Sequence, residues 1–280
     1  ISRTGLINPV FSLIRYKNGT FNVEKPERTL SGRPLAVEKI SISQGQFIYT
    51  DETSGTRIGV NDIEATLQNL LYSRTGGKDW LKNISFGGDM KCKTLLINNV
   101  TLRNLVVRTT VSNGILDGNP FSMNIFSGKG TGSIHLDVTG ASPHYRVITT
   151  LDRFRIEELI QAFSPGNIPH ENMEGPVDFS ADLTATGKSV DEVKRSLNGD
   201  LSLSGEDLML TNMDIDALIP KYERSQNFNL VDVGAYFLAG PFGPVLTKTY
   251  NFGSLYRESQ VGKRSIKKLV SIWNVKNGIA

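Results

Sequence analysis

Reactive side chains are scarce in this chain. There is one cysteine, Cys92, in 280 residues, which excludes an internal disulfide and a cysteine-built zinc site. The three histidines, His135, His144 and His170, are scattered. No G-x-S-x-G turn, no P-loop and no Cys/His pair occurs, so the usual spellings of nucleophilic and phosphate chemistry are missing. An excess of one charge is also lacking. The 31 basic and 28 acidic residues leave +3, too little and too dispersed for a general affinity for nucleic acid. Basic residues do gather at Lys263, Arg264, Lys267 and Lys268; they read as a solvated strand face first and as a contact for anionic headgroups second. The longest uncharged stretch, 233–247, is too short to span a bilayer and is broken by Gly240-Pro241 and Gly243-Pro244. With 39% hydrophobic and 21% charged residues, the composition is nevertheless that of a folded chain.

What the sequence has in abundance is alternation. Val177, Phe179, Ala181 and Leu183 are separated by Asp178, Ser180, Asp182 and Thr184, a strand with one apolar and one wet face. Ser189 and Glu192 then spell the capping box of a helix running to about Leu197, with Asn198-Gly199 as its C-cap. Leu201 and Leu203 alternate with Ser202 and Ser204 in the next strand. The same texture fills the region before. Strands are expected over 35–42, 47–51 and 56–67, split by hairpin-type turns at Gln44-Gly45 and 51–55. Others are expected over 83–90, 91–98 and 102–111, with turns at Asn98-Asn99 and Asn113-Gly114. Phe121, Met123 and Ile125 alternate, and so do Tyr145, Val147, Thr149 and Leu151.

Gly128, Gly130 and Gly132 form a bare face that Ile134, Leu136 and Val138 continue. Such a face favours a sharp bend of the sheet, with close approach of a ligand as the second reading. Ile156, Leu159, Ile160 and Phe163 fall at helical spacing. The stretch 265–275, around Trp273, closes the series as a strand. Residues 1–34 are a poorly defined N-terminal segment, and 35–280 form one β-rich domain. The fold class is mainly β: an extended, curled antiparallel sheet, groove-like or taco-like, with two or three short helices.

Three near-motifs fail on their spacing. His170-Glu171 begins a zincin motif, but Glu174 stands where the second histidine is needed. Asn212, Asp214, Asp216 and Glu223 match positions 1, 3, 5 and 12 of an EF-hand loop, yet Ala217 replaces the glycine and Pro220 follows. The glycines of 128–132 lie within a strand and lack the third spacing of a dinucleotide loop. No catalytic residue, metal site or cofactor is expected. Function is expected from the surface that the sheet builds.

The unit GKSVDEVKRSLNGDLSLS (187–204) and the stretch FNLVDVGAYFLAGPFGPVLTK (228–248) resemble the C-terminal part of the AsmA family. FIYTDETSG (47–55) and FSGKGTGSIHLD (126–137) resemble family patterns too. The resemblance implies a periplasmic, non-enzymatic protein of Gram-negative bacteria, held at the inner membrane by an anchor absent from this chain and related to TamB-like β-groove lipid transporters. The abrupt start at Ile1 and end at Ala280 fit a fragment of a longer protein. An apolar groove carrying phospholipid or another acyl-chain lipid between inner and outer membrane follows from the resemblance, with a role in outer-membrane homeostasis. The lining is then expected from Phe121, Met123, Ile125, Ile134, Leu136, Val177, Phe179, Leu183, Leu201 and Leu203. The stretch 233–247 reads first as a buried crossing of the chain and next as a lid or a partner or membrane contact, with Phe237, Leu238 and Phe242 as the residues of that lid or partner loop. The alternative is a structural or chaperone-like factor for outer-membrane protein assembly, in which the same apolar face is a closed core; outer-membrane proteins would then be the partners.

Overall fold

The computed structural model describes residues 3–23, 35–73, 80–163, 173–210 and 264–279. Among them are thirteen strands and three short helices. In chain order the strands begin with β1 (Arg3–Ile7), β2 (Val10–Arg15), β3 (Leu35–Asp51) and β4 (Thr56–Tyr72). After the single turn of α1 (Trp80–Asn83) come β5 (Ile84–Ile97), β6 (Val100–Ser112), β7 (Ile115–Ile125), β8 (Gly128–Asp137) and β9 (His144–Arg155). Then follow α2 (Ile156–Phe163), β10 (Met173–Glu174), β11 (Pro176–Thr186), α3 (Val190–Arg195), β12 (Asn198–Leu210) and β13 (Arg264–Val275).

All thirteen strands belong to one large, open, curled sheet. From β3 to β9 each strand pairs antiparallel with the next in sequence, and β11, β12 and β13 follow in the same manner. Such a meander needs only short reversals. Asn113 and Gly114, both left-handed at φ 52° and 85°, supply one of them between β6 and β7.

The first segment departs from expectation. Residues 3–7 and 10–15 are two short strands that lie parallel to β3, one after the other along its free edge. The break between them falls at Asn8-Pro9, where the Asn8 N–H donates to the Ser43 carbonyl at 2.9 Å and the Gln46 N–H to the Pro9 carbonyl at 2.8 Å. The sheet is therefore antiparallel except at this edge.

Two further expectations are corrected. Gln44-Gly45 is no hairpin turn: β3 runs straight through it as a 17-residue strand. Gln44 takes φ 54° and the register with β4 shifts there, which makes it a β-bulge. Gly45 is required because a β-carbon would stand 2.7 Å from Ile42 Cγ2. Likewise 83–90 and 91–98 are not two strands but one, β5, with Asn83 left in α1.

The helix at 189 begins as its capping box dictates. Ser189 Oγ accepts the Glu192 N–H at 3.2 Å, and the Glu192 carboxylate accepts the Lys188 N–H at 2.8 Å. Its end is different. The helix stops at Arg195 with Ser196 as C-cap, and Asn198-Gly199 already opens β12. Gly199 serves the sheet: at φ 138° its α-carbon is packed against the Asp182 carbonyl of β11.

Two ends of the sheet carry the helices. α1 sits beside the β6–β7 turn, where the Gly114 N–H donates to the Leu81 carbonyl at 3.1 Å. α3 sits at the same end, between β11 and β12. α2 sits at the opposite end, where Ser127 Oγ donates to Glu158 at 2.6 Å and the Ile156 N–H to the Gly175 carbonyl at 3.1 Å. Also at the α2 end, the buried Asp51 closes the β3–β4 turn. Its carboxylate accepts from the Thr53 N–H at 2.8 Å and hydroxyl at 2.6 Å, from the Ser54 N–H at 3.4 Å and from Arg15 at 3.3 Å. Burial alone would raise its pKa, but these donors outweigh burial and bring it down to about 2.

Candidate functional site: the apolar face of the sheet

Strand pairing decides which side chains share a face. Phe121 pairs with Gly132, Gly132 with Thr149, Thr149 with Ala181, and Ala181 with Leu201. Met123 pairs with Gly130, Gly130 with Leu151, Leu151 with Phe179, and Phe179 with Leu203. Ile134 lies between Gly118 and Val147, and Val147 meets Leu183. Leu136 lies beside Leu116 and Tyr145. Since directly paired residues point to the same side of a sheet, all ten expected lining residues are brought together on one face.

That face is apolar across the sheet. One cluster of buried residues extends from Tyr49 and Ile58 through Met123, Leu151 and Phe179 to Val275. A second, smaller cluster of Leu81, Val111 and Val138 lies under α1, with Leu116 and Leu136 packed against it. Seven of the ten, namely Phe121, Met123, Ile125, Val177, Phe179, Leu183 and Leu201, are buried; Leu136 and Leu203 are half-buried. Ile134 is the exception at 36% exposed. Thr149, a buried threonine of the face, satisfies its hydroxyl by donating to the Thr131 carbonyl at 3.1 Å.

The bare face of β8 is covered by its neighbours. A β-carbon at Gly130 would stand 2.9 Å from Leu151 Cδ2 and 3.0 Å from Met123 Cε, and one at Gly132 would stand 2.7 Å from Phe121 Cζ. Side chains of β7 and β9 thus lie across β8. The register with β9 runs unbroken from Lys129 to Asp137, whereas that with β7 shifts between Gly118 and Phe121, opposite Ile134 and Gly132, so the extra residue lies in β7.

The opposite face carries most of the polar pairs, although Ile48, Leu96, Ile148, Val270 and Ile272 are exposed among them. Arg146 pairs with Asp182 at 2.9 Å and Arg108 with Asp89 at 3.0 Å. Thr131 and Thr150 hydroxyls meet at 2.9 Å, and those of Ser180 and Ser202 at 2.7 Å. His135 stands on this wetter side, its Nδ1 2.6 Å from Asp117 Oδ1.

Sequence reasoning missed several residues that share the apolar face. Ile42, Met90, Val107 and Trp273 all pack against the main cluster. For Ile42 and Val107 the reason is a register shift in β3 and β6, which changes the phase of alternation partway along the strand. The expected lid residues Phe237, Leu238 and Phe242 lie outside the described residues, as do His170-Glu171 and the acidic run 212–223. Among the described residues, no group of three or more His, Cys, Asp or Glu could hold a metal ion. No described helix is long and apolar enough to cross a membrane.

Comparison with curated proteins and with solved structures returned no significant match. Comparison with family models returned one, the AsmA family, over residues 79–237. The matched stretch takes in the elements from β5 to β12 that build most of the apolar face, and it exceeds half of the 280 residues. The chain belongs to the AsmA family.

Proposed function

We propose that this chain is a lipid-handling module whose apolar face binds acyl chains and moves phospholipid between the inner and outer membranes from a periplasmic location. The observation that carries this reading is the sidedness of the sheet: one face apolar from β3 across to β13, the other laddered with polar pairs. The family's association with lipid- and membrane-related transport supports it. Acyl chains ask little of a protein beyond buried apolar area, about 0.8 kcal/mol per methylene. A surface without a catalytic constellation is chemically sufficient for them. The family is not known for enzymatic activity, and such a face acts passively: chains lie against the apolar lining while headgroups stay wet at the rim.

A closed-core assembly factor is the second reading. It is favoured by the segment around β9, β11 and β12, where Val177, Leu183 and Leu201 are at most 2% exposed. Native mass spectrometry with lipid extraction separates the two. Phospholipid that copurifies with the wild type and is lost in Ile134→Glu supports the lipid reading. Ile134 is chosen because it is the expected lining residue already open to solvent, so a charge there leaves the fold standing. A lipid-free protein that also takes up no fluorescent fatty acid overturns the lipid reading and leaves the closed core.

A further inference from the structure

A line of left-handed residues crosses the sheet. Asn8, Gln44, Asp62 and Asn104 have φ between 52° and 57°, a conformation uncommon for residues with a β-carbon. They lie on adjoining elements: Asn8 between β1 and β2, then Gln44 inside β3, Asp62 inside β4 and Asn104 inside β6. β5 crosses the line at Lys93. Beside it run Gly45, Ile63, Cys92 and Leu105, each paired with the next.

The line separates two panels of the apolar face. On the α2 side, Tyr49, Ile58, Leu95, Ile97, Val100 and Leu102 are buried, with Phe47 and Val60 half-buried next to the line. On the other side, Ile42, Ala65, Leu67, Met90 and Val107 share the same face and are only half-buried, as far as Val111, which is buried beside Leu81 of α1. At the line an exposed side chain of β4 reaches across to β3. Glu64 Oε1 accepts the Gln44 N–H at 2.9 Å and the Ser43 hydroxyl at 3.0 Å. A bulged residue loses its partner in the ladder, and here a carboxylate from the neighbouring strand takes that place. The same device recurs at Arg153 (φ 49°), whose N–H donates to Asp178 of β11 at 2.7 Å.

We propose that the line Asn8–Gln44–Asp62–Asn104 is a hinge latched by Glu64, on which the half-buried panel opens while the buried panel stays shut. Its use, to admit an acyl chain, rests on the function proposed above; the hinge itself does not.

Hydrogen–deuterium exchange on the intact chain tests it, with Glu64→Ala and Glu64→Gln beside the wild type. In Glu64→Ala the amides of 39–44 and 63–68 are expected to exchange about tenfold faster, with those of 47–51 and 56–60 unchanged. Glu64→Gln keeps an oxygen acceptor and is expected to restore the wild-type pattern. Equal acceleration of both panels, or no change in either, overturns the hinge. Loading of a fluorescent fatty acid, followed on the same proteins, is expected to quicken in Glu64→Ala; an unchanged rate removes the hinge from the loading step. If no protein binds the fatty acid, the lipid reading fails while the exchange pattern still decides the hinge.

Discussion

The ring of Phe121 lies over Gly132, with Cζ 2.7 Å from the point where a β-carbon would stand. The Ile148 carbonyl closes on the same point from the strand behind. Gly132→Ala therefore forces both a ring and a backbone to move, and it is expected to cost about 3 kcal/mol or more. Gly59→Ala is the matched control, since a β-carbon there meets nothing within 4 Å; its effect is expected within about 0.5 kcal/mol. Urea unfolding of the two variants checks the contrast.

Asp51 predicts an acid limb in stability. Its folded pKa, about 2, lies below the ordinary value of 3.8. A depressed carboxylate pKa stabilises the fold above the unfolded value and loses that contribution as pH falls toward the folded one. The loss is therefore expected between about pH 4 and pH 2, on the order of 2 kcal/mol. Asp51→Asn should flatten this limb when unfolding is followed by circular dichroism across that range. An unchanged limb would assign it to other carboxylates.

Leu183 and Ile134 sit on the same face but not in the same surroundings. Leu183 is fully buried, whereas Ile134 is 36% exposed. Leu183→Ala leaves a cavity and is expected to cost about 2–5 kcal/mol. Ile134→Ala is expected to cost about 1 kcal/mol. Equal costs by chemical denaturation would mean that the face is closed uniformly.

Cys92 gives a probe of opening. It is 3% exposed, and burial pushes its thiol pKa above the ordinary value. Both effects suppress thiolate chemistry. Alkylation by a maleimide at neutral pH is expected to be slow in the native protein and to reach completion only in denaturant. Rapid native labelling would reveal frequent opening at Ile63, Cys92 and Leu105.

Most of the strands were legible because the chain alternates and because neighbours in sequence are neighbours in the sheet. Residues 156–163 were readable as a helix from apolar spacing alone, and Arg264–Val275 from the run around Trp273. The ten face residues could be listed but not oriented. Alternation says that Phe121 and Met123 point together; only the pairing of β7 with β8 and of β8 with β9 says that they point with Leu151. What misled was local chemistry with two meanings. Gln44-Gly45 has the composition of a turn and the geometry of a bulge. Asn198-Gly199 has the composition of a C-cap, yet Gly199 is demanded by the carbonyl of the next strand. The parallel pairing of β1 and β2 was not legible, because their partners are the distant residues 39–43 and 46–51.

The polar ladder on the far face has a consequence for how the molecule is perceived from a distance. Arg146 with Asp182 and Arg108 with Asp89 each span adjacent strands, a spacing of about 4.8 Å. Opposite charges held that close cancel within about one Debye length, roughly 8 Å at physiological ionic strength. Around these two pairs the surface is electrically quiet although both partners are ionised. A partner that meets the sheet at these two pairs is held there by short-range contact rather than by a long-range field.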